Sequence, residues 1–205
     1  LPIYTSLGAS QHLPASALDA DLIASASILY LEGYLWDPEE PRKAMRAAID
    51  IARKAGRKIA FTLSDGFVID RHRADFVEMI DAGLIDILFS NEAEIQALAQ
   101  VDGFDKAVAA IAPKVPLLVS TRSEKGAIAI DNGTRHETHA APVAEVIDTT
   151  GAGDLFAAGF LAATVEGKDI SHCLQLGAIC AAEIISHYGA RPEKDLKALR
   201  TAAKL

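Results

Sequence analysis

Short apolar runs closed by turn residues alternate with segments of helical period, and that alternation restricts the fold more than any other feature of the chain. ILYL (28–31), IAFTL (59–63) and IDILF (85–89) have strand length, and helices predicted near 40–55 and 71–82 separate them. This is the rhythm of parallel strands joined by crossover helices. In the first helix Ala44, Ala48, Ile51, Ala52 and Ala55 share one face while Arg46, Asp50, Arg53 and Lys54 turn away, as a helix lying on a sheet requires. Gly56 ends it. Past Phe89, short helices near 92–100 and 104–112 lead to the strand PLLVST (116–121). GAIAI (126–130), the turn Asp131-Asn132-Gly133 and HETH read as an antiparallel hairpin, with Asn-Gly supplying the positive φ. From Gly151 onward the pattern is helical, at about 152–166, 170–187 and 193–203. The expectation is an α/β fold, a mostly parallel central sheet with a late antiparallel hairpin, formed as a single domain over 1–205.

Half of the 205 residues are hydrophobic, enough for one sizeable core, and only 6% are aromatic. Alanine-rich elements therefore pack closely through small side chains. A formal net charge of −8 argues against non-specific nucleic-acid binding, which needs a basic patch that no run here supplies. It leaves anionic small ligands open, because helix N-termini and divalent cations provide positive potential locally. Cys173 and Cys180, seven apart on one predicted helix, lie about 10 Å apart along its axis and are expected as buried thiols, not a disulfide. No apolar run reaches membrane-spanning length, so an acidic cytoplasmic protein without membrane or nucleic-acid partners is expected. The chain opens on Leu1, not methionine, so an upstream segment is expected as well.

The chemistry concentrates in DTTGAGD (148–154), which runs directly into an apolar helix. Glycine at 151 and 153 lets the backbone turn sharply and approach a ligand with no Cβ in the way. A helix N-terminus behind such a turn is an anion site, so Gly151, Ala152 and Gly153 can cradle a phosphate. A carboxylate beside a phosphate is repelled unless it has a task. The task open to Asp154 is to accept the proton of an attacking hydroxyl as general base. Helix capping is the alternative for Asp154.

DTTGAGDLFAAGFL (148–161) closely resembles the C-terminal signature of the ribokinase-like carbohydrate kinases, the PfkB family, which phosphorylate a hydroxyl of sugars and nucleosides with ATP. The resemblance implies a three-layer α/β/α fold, Asp154 as catalytic base, and Gly151 to Gly153 as anion hole. It also implies that Asp148 and Thr150 help hold a monovalent cation such as K⁺, with a turn role as the alternative. SNEAE (90–94) resembles the family's N-x-x-E element, which assigns Asn91 to the phosphates and Glu94 to water on Mg²⁺; alone the pattern is that of an N-cap with a first-turn carboxylate. TRSEKG (121–126) resembles the T-x-G-x-x-G nucleotide loop, with Ser123 where the family has its middle glycine, so that Thr121, Arg122 and Gly126 remain as ATP contacts. GAICAAEIISHYGARP (177–192) resembles the adenine-side helix, placing Cys180 near the adenine, although a buried structural cysteine is the stronger reading of that position.

No P-loop, dinucleotide-binding or protein-kinase signature occurs, and His136 and His139 lack zinc-site spacing. The resemblance runs from about GYLWDP (33–38) to GARP (189–192). The family's G-G-x-x-x-N element, N-terminal strands and lid are not among these residues, so a homodimer through that lid belongs to the larger protein. The chain thus resembles the nucleotide-binding and catalytic-base portion of a longer kinase. LEGYLWDP, NEAE and ISHYGARP are most similar to bacterial adenosine kinases and related sugar kinases. Adenosine, phosphorylated on its 5′-hydroxyl, is the first expectation for the acceptor; ribose, fructose, 2-keto-3-deoxygluconate, or a non-catalytic nucleotide-binding role are the alternatives.

Overall fold

A computed structural model describes residues 7–205. The opening LPIYTS lies outside the described residues. The chain forms two compact units, one running to Pro116 and one from Leu117 to Leu205.

The first unit begins with a short helix α1 (Ala20–Ser25), capped by the Asp19 carboxylate, and then lays down β1 (Ile28–Glu32), α2 (Glu39–Lys54), β2 (Lys58–Thr62), α3 (Gly66–Asp81) and β3 (Ile87–Asn91). β1 pairs parallel with β2, and β2 parallel with β3, as crossover helices demand. α4 (Glu92–Ala99) and α5 (Phe104–Ile111) follow. Small residues face inward on α2, where Ala44, Ala48 and Ala52 are buried. The larger volume comes from three mutually edge-on rings, Trp36, Phe61 and Phe76, with centroids 5.1 to 5.9 Å apart. The Trp36 indole N–H is not stranded by this burial, for it donates to Asp75 at 2.8 Å.

Two departures from the expected boundaries have local causes. β3 starts two residues later than IDILF implies, because the Asp86 carboxylate itself accepts from the Ile59 N–H at 2.7 Å, taking the place of a ladder carbonyl. α3 starts at Gly66, five residues before the helical period becomes regular, because Asp65 caps it and the non-helical His72 (φ −122°) breaks the period.

The second unit is antiparallel and then helical. β4 (Leu117–Thr121), β5 (Ala127–Asp131) and β6 (Thr134–Thr138) pair in sequence order, and Asn132 and Gly133 turn the hairpin with φ of 45° and 87° as expected of Asn-Gly. α6 (Ala152–Val165) and α7 (Ile170–Ile184) pack against each other, and α8 (Leu196–Ala202) is capped by Asp195. Their approach is close. A Cβ on Gly159 would sit 2.8 Å from the Leu176 carbonyl oxygen, and one on Gly177 would sit 2.9 Å from that of Phe156. Among the described residues no helix is long and apolar enough to cross a membrane.

Candidate active site

The loop Ile147 to Gly153 is built by its own side chains. The Asp148 carboxylate closes a turn by accepting from the Thr150 N–H at 3.0 Å and the Thr150 hydroxyl at 2.7 Å, and its second oxygen accepts from the Gly189 N–H at 3.3 Å. These bonds, those from Thr150 first, hold its pKa below the usual carboxylate value. Gly151 then takes φ +82° and starts α6, with Ala190 directly against it: a Cβ at Gly151 would lie 3.2 Å from that of Ala190.

The N-terminus of α6 matches the anion cradle in part. The Ala152 N–H turns back to the Thr149 carbonyl at 3.2 Å, whereas among the described residues the N–H groups of Gly151, Gly153 and Asp154 have no acceptor. A Cβ on Gly153 would meet nothing within 4 Å. Glycine in a helical first turn costs stability relative to alanine, and no protein atom here requires its absence of side chain. Asp154 stands at the third helical position, exposed, and makes no capping bond; among the described residues its carboxylate has no hydrogen-bond or ion-pair partner. That geometry removes the capping alternative.

In the first unit, Asn91 and Glu94 lie just past β3 as a reciprocal capping box. Asn91 accepts from the Glu94 N–H at 2.8 Å, and Glu94 accepts from the Asn91 N–H at 3.0 Å and side-chain amide at 2.6 Å. Glu94 is only 7% exposed, and burial pushes its carboxyl up to about 7, with Asp65 nearby adding to the rise. Each Glu94 oxygen thus accepts one bond from Asn91.

The loop Thr121 to Gly126 follows β4. Ser123, which replaces the glycine of the resembling motif, nonetheless takes the left-handed φ of +52° that a glycine there would take. The Arg122 N–H donates to the Gly126 carbonyl at 2.8 Å, and Gly126 has φ +86°. A side chain at 126 would also collide with the backbone where the chain leaves β6, since its Cβ would lie 2.8 Å from the His139 carbonyl carbon. Packing alone therefore explains that glycine. Cys180 is 3% exposed and free, like Cys173, with its Sγ in the crossing opposite Gly159. Burial pushes its thiol pKa up. Ala178 instead lines a shallow cavity of about 210 Å³ with Thr138, His139, Gln175 and Ile179. Among the described residues no group of three or more His, Cys, Asp or Glu side chains is placed to hold a metal ion directly.

Gly189, which the sequence reading used only for spacing, and Ala190 contact the 148–151 turn, and Glu183, which it did not single out, accepts from the Glu193 N–H in the segment after α7. The available signal was a lone acid in the apolar helix end AAEII.

Residues 3–196 match the pfkB family of carbohydrate kinases, and the chain belongs to that family. It is similar to a probable sugar kinase from Rhizobium etli CFN 42, with a TM-score of 0.93 and 38% identity over 95% of this chain and 59% of the other. It is equally similar to an adenosine kinase from Sinorhizobium meliloti, at 0.91 and 38% over 94% and 59%. Arabidopsis thaliana ribokinase complexed with ribose and ATP gives a TM-score of 0.73 and 26% identity over 91% and 59%. The chain thus spans about three fifths of the length of each.

Proposed function

We propose that residues 1–205 are the nucleotide-binding and catalytic-base portion of an ATP-dependent kinase that phosphorylates a hydroxyl of a nucleoside or sugar, with the adenosine 5′-hydroxyl as first candidate. The observation that carries this reading is the start of α6, where, among the described residues, N–H groups without acceptors, open space over Gly153 and an Asp154 carboxylate without a partner coincide. Similarity to the adenosine kinase from Sinorhizobium meliloti supports the acceptor, and the ribokinase complexed with ribose and ATP supports the nucleotide.

In this mechanism Asp154 takes the proton of the acceptor hydroxyl as its oxygen bonds the γ-phosphorus. The bond from that phosphorus to the β–γ bridging oxygen breaks, and ADP leaves with the electron pair. The N–H groups of Gly151 and Gly153 stabilise charge on the transferred oxygens. Mg²⁺ would neutralise phosphate charge, with Glu94 and Asn91 fixing its water and the phosphates. Asp148 and Thr150 shape the turn, and would hold a monovalent cation such as K⁺, which would supply positive charge for the bound anion. Thr121 and Arg122 serve the nucleotide, while Gly126 and Cys180 act through packing.

The test is ATP consumption by the full-length protein with adenosine, ribose, fructose and 2-keto-3-deoxygluconate, beside Asp154→Asn. Turnover with one acceptor and a loss of about 10²–10⁴-fold in the variant, with ATP still bound, is expected. A variant rate near wild type removes Asp154 from the role of base.

A further inference from the structure

We propose that Glu183 is a positioning residue for the Gly151 to Gly153 cradle, acting by holding the segment after α7 against the turn before α6. Its consequence for turnover rests on the kinase reading above; the coupling itself stands on geometry.

Glu183 lies in the last turn of α7 and is 4% exposed. One oxygen accepts three hydrogen bonds, from the N–H groups of Glu193 at 3.0 Å and Lys194 at 2.9 Å and from His187 Nε2 at 3.2 Å. The other is buried and without a partner among the described residues. A carboxylate is costly in such a place, and the helix has no need of it as a cap, since the Ile185 N–H already returns to the Ala181 and Glu183 carbonyls. What it does is gather residues 186–194. His187 completes the clamp. Its Nδ1 faces the Tyr188 carbonyl at 3.2 Å, so both ring nitrogens face acceptors. Glu193, at 3.8 Å from Nδ1, is the outer acid and is largely exposed.

From this clamp the segment reaches the turn at three points. The Ile185 carbonyl accepts from the Ile147 N–H at 2.8 Å, the Gly189 N–H donates to Asp148 at 3.3 Å, and Ala190 backs Gly151. Asp148 in turn holds Thr150. Glu183 thus contacts no part of the cradle, yet the Gly189 and Ala190 contacts on the turn come from the segment it fixes.

The experiment compares the full-length protein with Glu183→Ala and the isosteric Glu183→Gln by peptide-resolved amide exchange and steady-state kinetics. For Glu183→Ala, exchange should rise about tenfold or more in both 185–194 and 146–155, while β5 and β6 stay unchanged. Glu183→Gln, which keeps one carbonyl acceptor, should fall between, and it decides the matter if the alanine variant does not fold. kcat should drop with KM for ATP within about threefold, a split that general destabilisation does not produce. Looser 185–194 with unchanged 146–155 would overturn the proposal and leave Glu183 a local clamp. If the wild type turns over none of the acceptors, the kinase reading fails while exchange still decides the coupling.

Discussion

Gly126 and Gly133 bracket β5, and alanine at each separates backbone strain from steric collision. Both have positive φ, +86° and +87°, and Gly126 pairs it with ψ −136°, a region essentially reserved for glycine. At 133 nothing lies within 4 Å of an added Cβ, so Gly133→Ala meets only the conformational cost of positive φ, about 1–2 kcal/mol. At 126 at least that conformational cost is joined by a collision. The Cβ would overlap the Thr138 carbonyl oxygen and lie 2.8 and 2.9 Å from the His139 carbonyl carbon and the Ala140 nitrogen. All are backbone atoms, so relief requires opening the Ala127–Thr138 pair that ends the β5–β6 ladder. Overpacking and the lost ladder bonds add about 1–3 kcal/mol, so Gly126→Ala should cost about 2–5 kcal/mol in total. Urea unfolding followed by circular dichroism, analysed with a shared m-value, measures both. Equal losses at 126 and 133 would refute the reasoning, because residues 138–140 would then yield freely. Gly126 would in that case need a ligand contact to explain it.

Gly153→Ala should raise stability by about 0.5–1 kcal/mol, since it restores helix propensity in open space, while weakening ATP binding measured by calorimetry; unchanged affinity would place the phosphates elsewhere. Gly159→Ala should lose about 1–2 kcal/mol of unfolding free energy despite the better helix former, because its Cβ would lie 2.8 Å from the Leu176 carbonyl oxygen and the Cys180 Sγ; a gain would mean the α6–α7 crossing has slack. Glu94 gives a pH signature. Its folded value of about 7 exceeds the ordinary 4.5, so its contribution is fully present below 4.5 and is lost as pH rises through 7, by about 3 kcal/mol. Wild type should therefore lose more stability than Glu94→Gln between pH 5 and pH 8, and parallel profiles would contradict the burial argument.

The parallel strands, the hairpin and the three late helices were legible because each is specified by its own residues. Alternation of apolar runs sets β1 to β3, Asn132-Gly133 sets the turn, and Gly151 starts α6 where the glycines predict it. Legibility failed where a side chain replaced backbone. Asp86 bonds the Ile59 N–H as a carbonyl would and displaces β3, and Asp65 begins α3 ahead of its periodic stretch. α7 stops at Ile184, three residues short of the expected end, where the Ile185 carbonyl accepts from Ile147 instead of closing another helical turn. No local pattern announces a bond spanning that distance in sequence.

The candidate site divides the same way. Gly151, Gly153 and Asp154 are neighbours in sequence, and the chemistry of a helix N-terminus needs only neighbours. A cradle without intrinsic strain still has to be held still, because a first turn frays and a loose N–H stabilises charge poorly. That holding comes from Gly189 and Ala190, about 40 residues further along, and they are fixed by Glu183, an acid whose surroundings in sequence are wholly apolar. The buried acid costs stability at α7 so that the turn before α6 keeps its shape. Exchange at 146–155 in the Glu183 variants measures that coupling directly, because it reads the turn and not the residue that was changed.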